Sequence, residues 1–296
     1  MFKNFWAGAL GFYKVSLTGS IDLANQTGFA GIDFNIREAA SIADERGVGY
    51  VADLFKAAEI EPAFWNLPVD WRGDKWQEGL QELPRFAALA RELGCLRTGS
   101  VCPSSNAERG FDENYAWHVQ RLRPFAEVLN DQGIQFGLEW NGPQHMRPED
   151  RHDFIYTMEG MLALFESVGT GNLGLILDVF HLISSGGSVD DMDKLSPNDI
   201  VNVHVNDVAP GLKLSEYHDL VRGFPMEKGG LPLPEFMQKL TAIGYAGPVT
   251  CEPFSRRVPG YWPHDDDALS DPLEAAQLTA GYMAQLWRAG NLAHGT

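Results

Sequence analysis

Leu173-Gly-Leu-Ile-Leu-Asp178 is a run of apolar and small residues that ends in one carboxylate, and the pattern comes three more times. Ile134-Gln-Phe-Gly-Leu-Glu139, Ile200-Val-Asn-Val-His204 and Pro248-Val-Thr-Cys-Glu252 also close on a single acid or imidazole. Short apolar runs bounded by Gly, Pro or polar residues read as parallel strands buried on both faces. The closing residues lie 39, 26 and 48 positions apart (139 to 178, 178 to 204, 204 to 252), close to one strand-plus-helix unit each time with extra loop in places. A polar side chain at the C-terminal end of such a strand stands on the catalytic rim of a (β/α)8 barrel. Two Glu, one Asp and one His converging there form a donor set for a hard-to-borderline divalent ion.

The rest of the chain alternates in the same way. Strands are expected at 5–10, 31–34, 61–66, 96–101, 134–139, 174–178, 200–204 and 248–252. Helical patterns fall between them at 21–27, 48–59, 76–93, 113–132, 153–168, 233–243 and 273–289, several closed by glycine. Alternation of this kind builds a parallel sheet with right-handed crossovers, and eight units favour a closed α/β barrel, the (β/α)8 or TIM barrel, as one domain over 1–296. No GxGxxG follows the first strand, which removes the usual dinucleotide-binding reading. Long loops at 70–75, 103–111, 205–230 and 258–271, the last with Trp262 and His264, would all sit on the rim.

Composition narrows the class. The chain has 296 residues with 44% apolar content, enough for a large core. Eight Trp and 17 Phe supply core and candidate pocket walls alike. A net charge of −17 repels a phosphate backbone, so no nucleic-acid partner is expected. Cys95, Cys102 and Cys251 form no CxxC pair and read as buried thiols in a reducing compartment. No secretory pattern and no membrane-length apolar stretch is found, so the expected location is cytoplasmic, with no membrane partner.

Taken singly, each strand-ending acid reads as a loop residue or helix cap, and the histidine as a structural one. Taken together they occupy equivalent places on four consecutive strands. Three carboxylates within a few ångströms repel one another and lose hydration, and a divalent ion relieves both costs.

The motifs Gly137-Leu-Glu139, Leu177-Asp-Val-Phe-His181, Val203-His-Val-Asn-Asp207 and Gly244-Tyr-Ala-Gly-Pro-Val-Thr-Cys-Glu252 resemble those of the xylose isomerase-like TIM-barrel superfamily. The resemblance is to its sugar-phosphate isomerase and epimerase group, with the ketose 3-epimerases, hydroxypyruvate isomerases and inosose dehydratases. It covers nearly the whole chain. It implies that Glu139, Asp178, His204 and Glu252 hold one divalent ion, Mn²⁺ or Mg²⁺ first, with Co²⁺ or Zn²⁺ also compatible. It implies that Glu139 and Glu252 act as the base and acid pair and that His181 contacts substrate oxygens.

Two positions depart from the epimerases. His145 stands where many carry a further substrate-binding Glu, and Pro210 where they carry an Arg, a place that Arg222 in the same loop is a candidate to fill. Trp65 is a candidate for stacking on a sugar face, or else core. Asp207 is a candidate to orient His204, or else a turn cap. His218 reads as a surface residue. The resulting expectation is a metal-dependent isomerase or epimerase of a small ketose, keto acid or related sugar. A lyase with the same site, a dehydratase or C-glycoside-cleaving type, is the alternative. A non-catalytic sugar-binding barrel or subunit is a third reading, and the family's oligomers make a homo-oligomer an expectation too.

Overall fold

The computed structural model describes residues 1–254 and 269–292. The loop read at 258–271, with Trp262 and His264, lies almost wholly outside the described residues. Among the described residues ten strands occur in chain order: β1 (Phe2–Phe5), β2 (Gly31–Phe34), β3 (Glu61–Asn66), β4 (Arg97–Cys102), β5 (Ser105–Asn106), β6 (Gln135–Trp140), β7 (His152–Asp153), β8 (Leu173–Asp178), β9 (Ile200–Val205) and β10 (Pro248–Cys251). Eight of them close a barrel in the order β1-β10-β9-β8-β6-β4-β3-β2, with parallel pairing throughout. The helices are α1 (Leu17–Thr27), α2 (Ile36–Arg46), α3 (Val48–Ala58), α4 (Trp76–Glu92), α5 (Phe111–Asn130), α6 (Met158–Val168), α7 (Val179–Ser184), α8 (Leu233–Ile243) and α9 (Pro272–Ala289).

Local chemistry explains the boundaries. Ser16 caps α1 by accepting from the Gly19 amide, and Gly28 ends it in the left-handed conformation. Asp271 caps α9 through the Leu273 and Glu274 amides. Most of the core lies between strands and helices, whereas Phe64, Ile176 and Val201 form a separate cluster that fills the barrel's inside. Close packing there fixes the residue opposite: a Cβ on Gly99 would lie 2.6 Å from Ile176 Cδ1 and 2.8 Å from Phe64 Cζ. Packed at its centre, the barrel is no pore.

Several expected bounds shift. The first strand covers 2–5, and 7–10 is a 3-10 turn, not the strand expected at 5–10. The pattern at 153–168 begins its helix only at Met158, because His152–Asp153 pairs antiparallel with Ser105–Asn106 across the rim. Helices α2 and α7 were not expected at all. The three cysteines are free and buried. Among the described residues, no helix is long and apolar enough to cross a membrane.

Candidate active site

Register brings the four strand-ending residues together. Asp178 on β8 is the Cα partner of His204 on β9, and His204 is in turn the partner of Thr250 on β10. Glu252 follows Thr250 by two residues and is fixed by its own amide, which donates to Val205 O at 3.0 Å. Glu139 stands one residue before the end of β6, on the far side of β8. Glu139, Asp178, His204 and Glu252 each offer one ligand atom, these atoms all lie within 4.8 Å of one another, and all four residues are buried. Glu139 and Glu252 flank Asp178 and His204 from either side, with β8 and β9 between them.

Charge compensation holds the cluster. His204 Nδ1 lies 2.9 Å from Glu139 Oε1 and 3.6 Å from Glu252 Oε2. Arg222, only 2% exposed, donates from one guanidinium nitrogen to Asp178 Oδ2 at 2.7 Å and to Glu252 Oε2 at 2.8 Å. Its other two nitrogens donate to the Asp219 carboxylate and, at 2.9 Å, to Asp219 O, and Phe180 and Phe254 stack against the guanidinium at 4.2 and 4.6 Å. Asp178 Oδ1 accepts from Asn206 at 3.0 Å and from the Phe180 amide at 2.7 Å, so one carboxylate both faces the site and caps α7.

The two glutamates are pushed in opposite directions. Burial, then the neighbouring Glu252 charge, raises Glu139. Burial also opposes ionisation of Glu252, but His204 and Arg222 outweigh it and its carboxyl sits below the usual range. Burial would discharge His204, but Glu252 and Glu139 hold its imidazole well above its ordinary value.

His181, on α7, stands at the same mouth. Its Nδ1 lies 3.2 Å from the donating Gly142 amide, and its Nε2 lies 3.2 Å from the donating Arg222 guanidinium and 3.7 Å from Asp219 Oδ1. Only glycine fits at 142: a Cβ there would lie 2.3 Å from His181 O and 2.6 Å from Ser184 Oγ.

Other sequence candidates land elsewhere. Trp65 is wholly buried in the core and offers no face to a ligand. An aromatic beside His204 is Trp6, stacked on it with ring centroids 6.2 Å apart. Asp207 does not reach His204. Its carboxylate accepts from the amides of Val208, Lys228, Gly229, Gly230 and Leu231, and its backbone pairs in both directions with Gly223. Asp207 therefore folds the long loop after β9 back on itself and delivers Arg222, the residue before Gly223, over Asp178. His145 is exposed and lies outside the four-residue cluster, stacked on His218 at 4.2 Å and within 3.3 Å of Tyr217 O. Sequence reading missed Trp6, Asp33, Asp219 and Asn206. Asp33 alone had a visible signal, a lone carboxylate inside the apolar strand Gly31-Ile-Asp-Phe34.

Comparison with known proteins shows the family. The profile of the family described as xylose isomerase-like TIM barrel matches residues 7–280. The chain is 31% identical over 189 residues to a human putative hydroxypyruvate isomerase, covering 62% of each. It is also 31% identical over 189 residues to a 3-dehydroshikimate dehydratase of Pseudomonas aeruginosa, covering 62% of this chain and 27% of that one. The chain thus spans under two thirds of the length of both relatives. The solved structure of the IolI protein with a binding zinc atom superposes over the whole of both chains with a TM-score of 0.77 at 18% identity, a likeness of fold. With its closed parallel barrel and the extent of the profile match, the chain belongs to the xylose isomerase-like TIM-barrel family.

Proposed function

We propose that the protein is a divalent-metal-dependent isomerase or epimerase of a small ketose, keto acid or related sugar, acting by proton transfer next to a carbonyl. The observation that carries this is the buried cluster of three carboxylate oxygens and one imidazole nitrogen within 4.8 Å. That donor set suits Mn²⁺ or Mg²⁺, with Co²⁺ and Zn²⁺ also accommodated, and the zinc in the IolI structure supports a divalent ion in this fold. Glu139, Asp178, His204 and Glu252 would hold the ion. When bound, it supplies polarisation of a substrate carbonyl and acidifies the adjacent C–H.

The side chains divide the remaining work. Glu139 and Glu252, on opposite flanks of Asp178 and His204, would take and return the proton between them. His181, at the same mouth, would donate to the oxygen that gains charge. Arg222, its donors taken by Asp178, Glu252 and Asp219, would hold those carboxylates in place and not contact the substrate. His145, at the outer edge of the mouth, would meet only a larger ligand.

The 31% identity to a dehydratase favours one second reading, a lyase with the same first step in which a hydroxyl next to the carbanion leaves as water. Glu252→Gln separates an enzyme of either kind from a sugar-binding barrel. Turnover falls at least about a hundredfold while ligand binding persists in an enzyme. Unchanged turnover in that variant overturns the assignment.

A further inference from the structure

Next to the four-residue cluster lies a cleft of about 440 Å³, and Trp6, Asp33, Asn35 and Asn66 are among the residues that line it. Two links join the cleft to the site. Trp6 forms its wall and stacks on His204. Asn4 donates from Nδ2 to Asp33 Oδ1 at 2.5 Å and to Thr250 Oγ1 at 2.9 Å, and Thr250 is the strand partner of His204. Asp33 is 5% exposed, and nothing in the proton-transfer scheme uses it.

We propose that Asp33 recognises a hydroxyl on the substrate carbons remote from the carbonyl, so that the substrate is a neutral polyhydroxylated ketone of more than three carbons. The proposal rests on the isomerase reading above and narrows it. A carboxylate offers about four acceptor positions. Asn4 fills one on Oδ1, and among the described residues nothing hydrogen-bonds to Oδ2. A hydroxyl of a ligand in the cleft completes the carboxylate, whereas the carboxylate of a three-carbon keto acid there would meet a like charge. The cation of the lining, Arg37, is already held by Pro68 O and Glu82. Burial and the nearby Glu252 charge oppose ionisation of Asp33 and push it up to about 7, so a fourth acid beside three others is a standing cost to the fold.

The test is calorimetric titration of the Mn²⁺-loaded protein with ketohexoses and inososes, dihydroxyacetone and hydroxypyruvate, in wild type and Asp33→Asn. Wild type is expected to bind one or more of the polyhydroxylated ketones at least about tenfold tighter than dihydroxyacetone, and Asp33→Asn to narrow that ratio about tenfold. Mn²⁺ affinity of the variant stays within about twofold of wild type, since Asp33 lies outside the ligand set. Asp33→Ser serves in its place if the amide variant does not fold. An unchanged ratio, a preference for hydroxypyruvate, or loss of Mn²⁺ affinity overturns the proposal. If Mn²⁺ binds but no ligand binds wild type, the isomerase reading itself fails, and this inference with it.

Discussion

Replacing Arg222 with Met removes the guanidinium that bridges Asp178 and Glu252 while keeping an unbranched stem to pack between Phe180 and Phe254. Breaking a buried ion pair by removing one partner leaves uncompensated charge and costs roughly 3–5 kcal/mol. For a chain of this size a kcal/mol moves Tm by about 2 °C, so chelator-treated Arg222→Met should melt roughly 6–10 °C below wild type. A divalent ion neutralises the same two carboxylates. In wild type it meets a cluster already partly compensated; in the variant it meets one that is not. Saturating Mn²⁺ should therefore raise the variant's Tm by about 5 °C more than it raises wild type. Calorimetric scans of both proteins, with chelator and with Mn²⁺, make the comparison. Equal Mn²⁺ increments, or no Tm loss in the chelated variant, would refute the claim that these carboxylates demand a cation.

Gly142→Ala forces a methyl to within 2.3 Å of His181 O, so stability falls by about 1–3 kcal/mol and turnover falls with it, read by melting and by rate at saturating metal. Asp207→Ala strips the loop amides at 228–231 of their acceptor. Stability drops by at least about 3 kcal/mol, and limited proteolysis should cut between 208 and 231 faster than in wild type. The sign for Asp33 follows from its raised value. The folded state prefers it protonated, so its destabilising contribution is absent below the unfolded value near 3.8 and complete above about 7. In chelator-treated protein Asp33→Asn should stabilise at pH 8, by up to roughly 4 kcal/mol, and leave pH 4 unchanged. Denaturant melts at the two pH values check this, and a gain of the same size at both would contradict it.

The barrel was legible because most of its strands are apolar runs with sharp ends, and the metal candidates because four of those runs close on an acid or imidazole. The misses have physical causes. At the N-terminus the apolar stretch Phe5-Trp-Ala-Gly-Ala-Leu10 continues past the strand into a 3-10 turn, so composition alone could not mark where β1 stops. In α2 the buried face is Ile36, Ala39 and Ala40, small side chains with weak contrast, although the cap Asn35 with Glu38 three residues on was readable. In α7 the N-cap is Asp178 itself, hidden behind its reading as a ligand. Arg222 was legible only as an arginine in a loop. Its place over Asp178 depends on Asp207 and Gly223 pairing across sixteen residues, a long-range contact that no periodicity encodes. Trp65 and Trp6 were indistinguishable as aromatics near strand ends until packing buried one and left the other beside His204.

The most direct test of the account is proton exchange. Mn²⁺-reconstituted protein in heavy water, given ketohexoses, ketopentoses, inososes and hydroxypyruvate, would be followed by NMR beside Glu252→Gln. Deuterium entering a carbon next to a carbonyl in wild type, lost in Glu252→Gln and absent without metal, is the predicted result. An accumulating isomer would mark an isomerase and an elimination product a lyase. No exchange on any of these compounds with Mn²⁺, Mg²⁺, Co²⁺ or Zn²⁺ would contradict it.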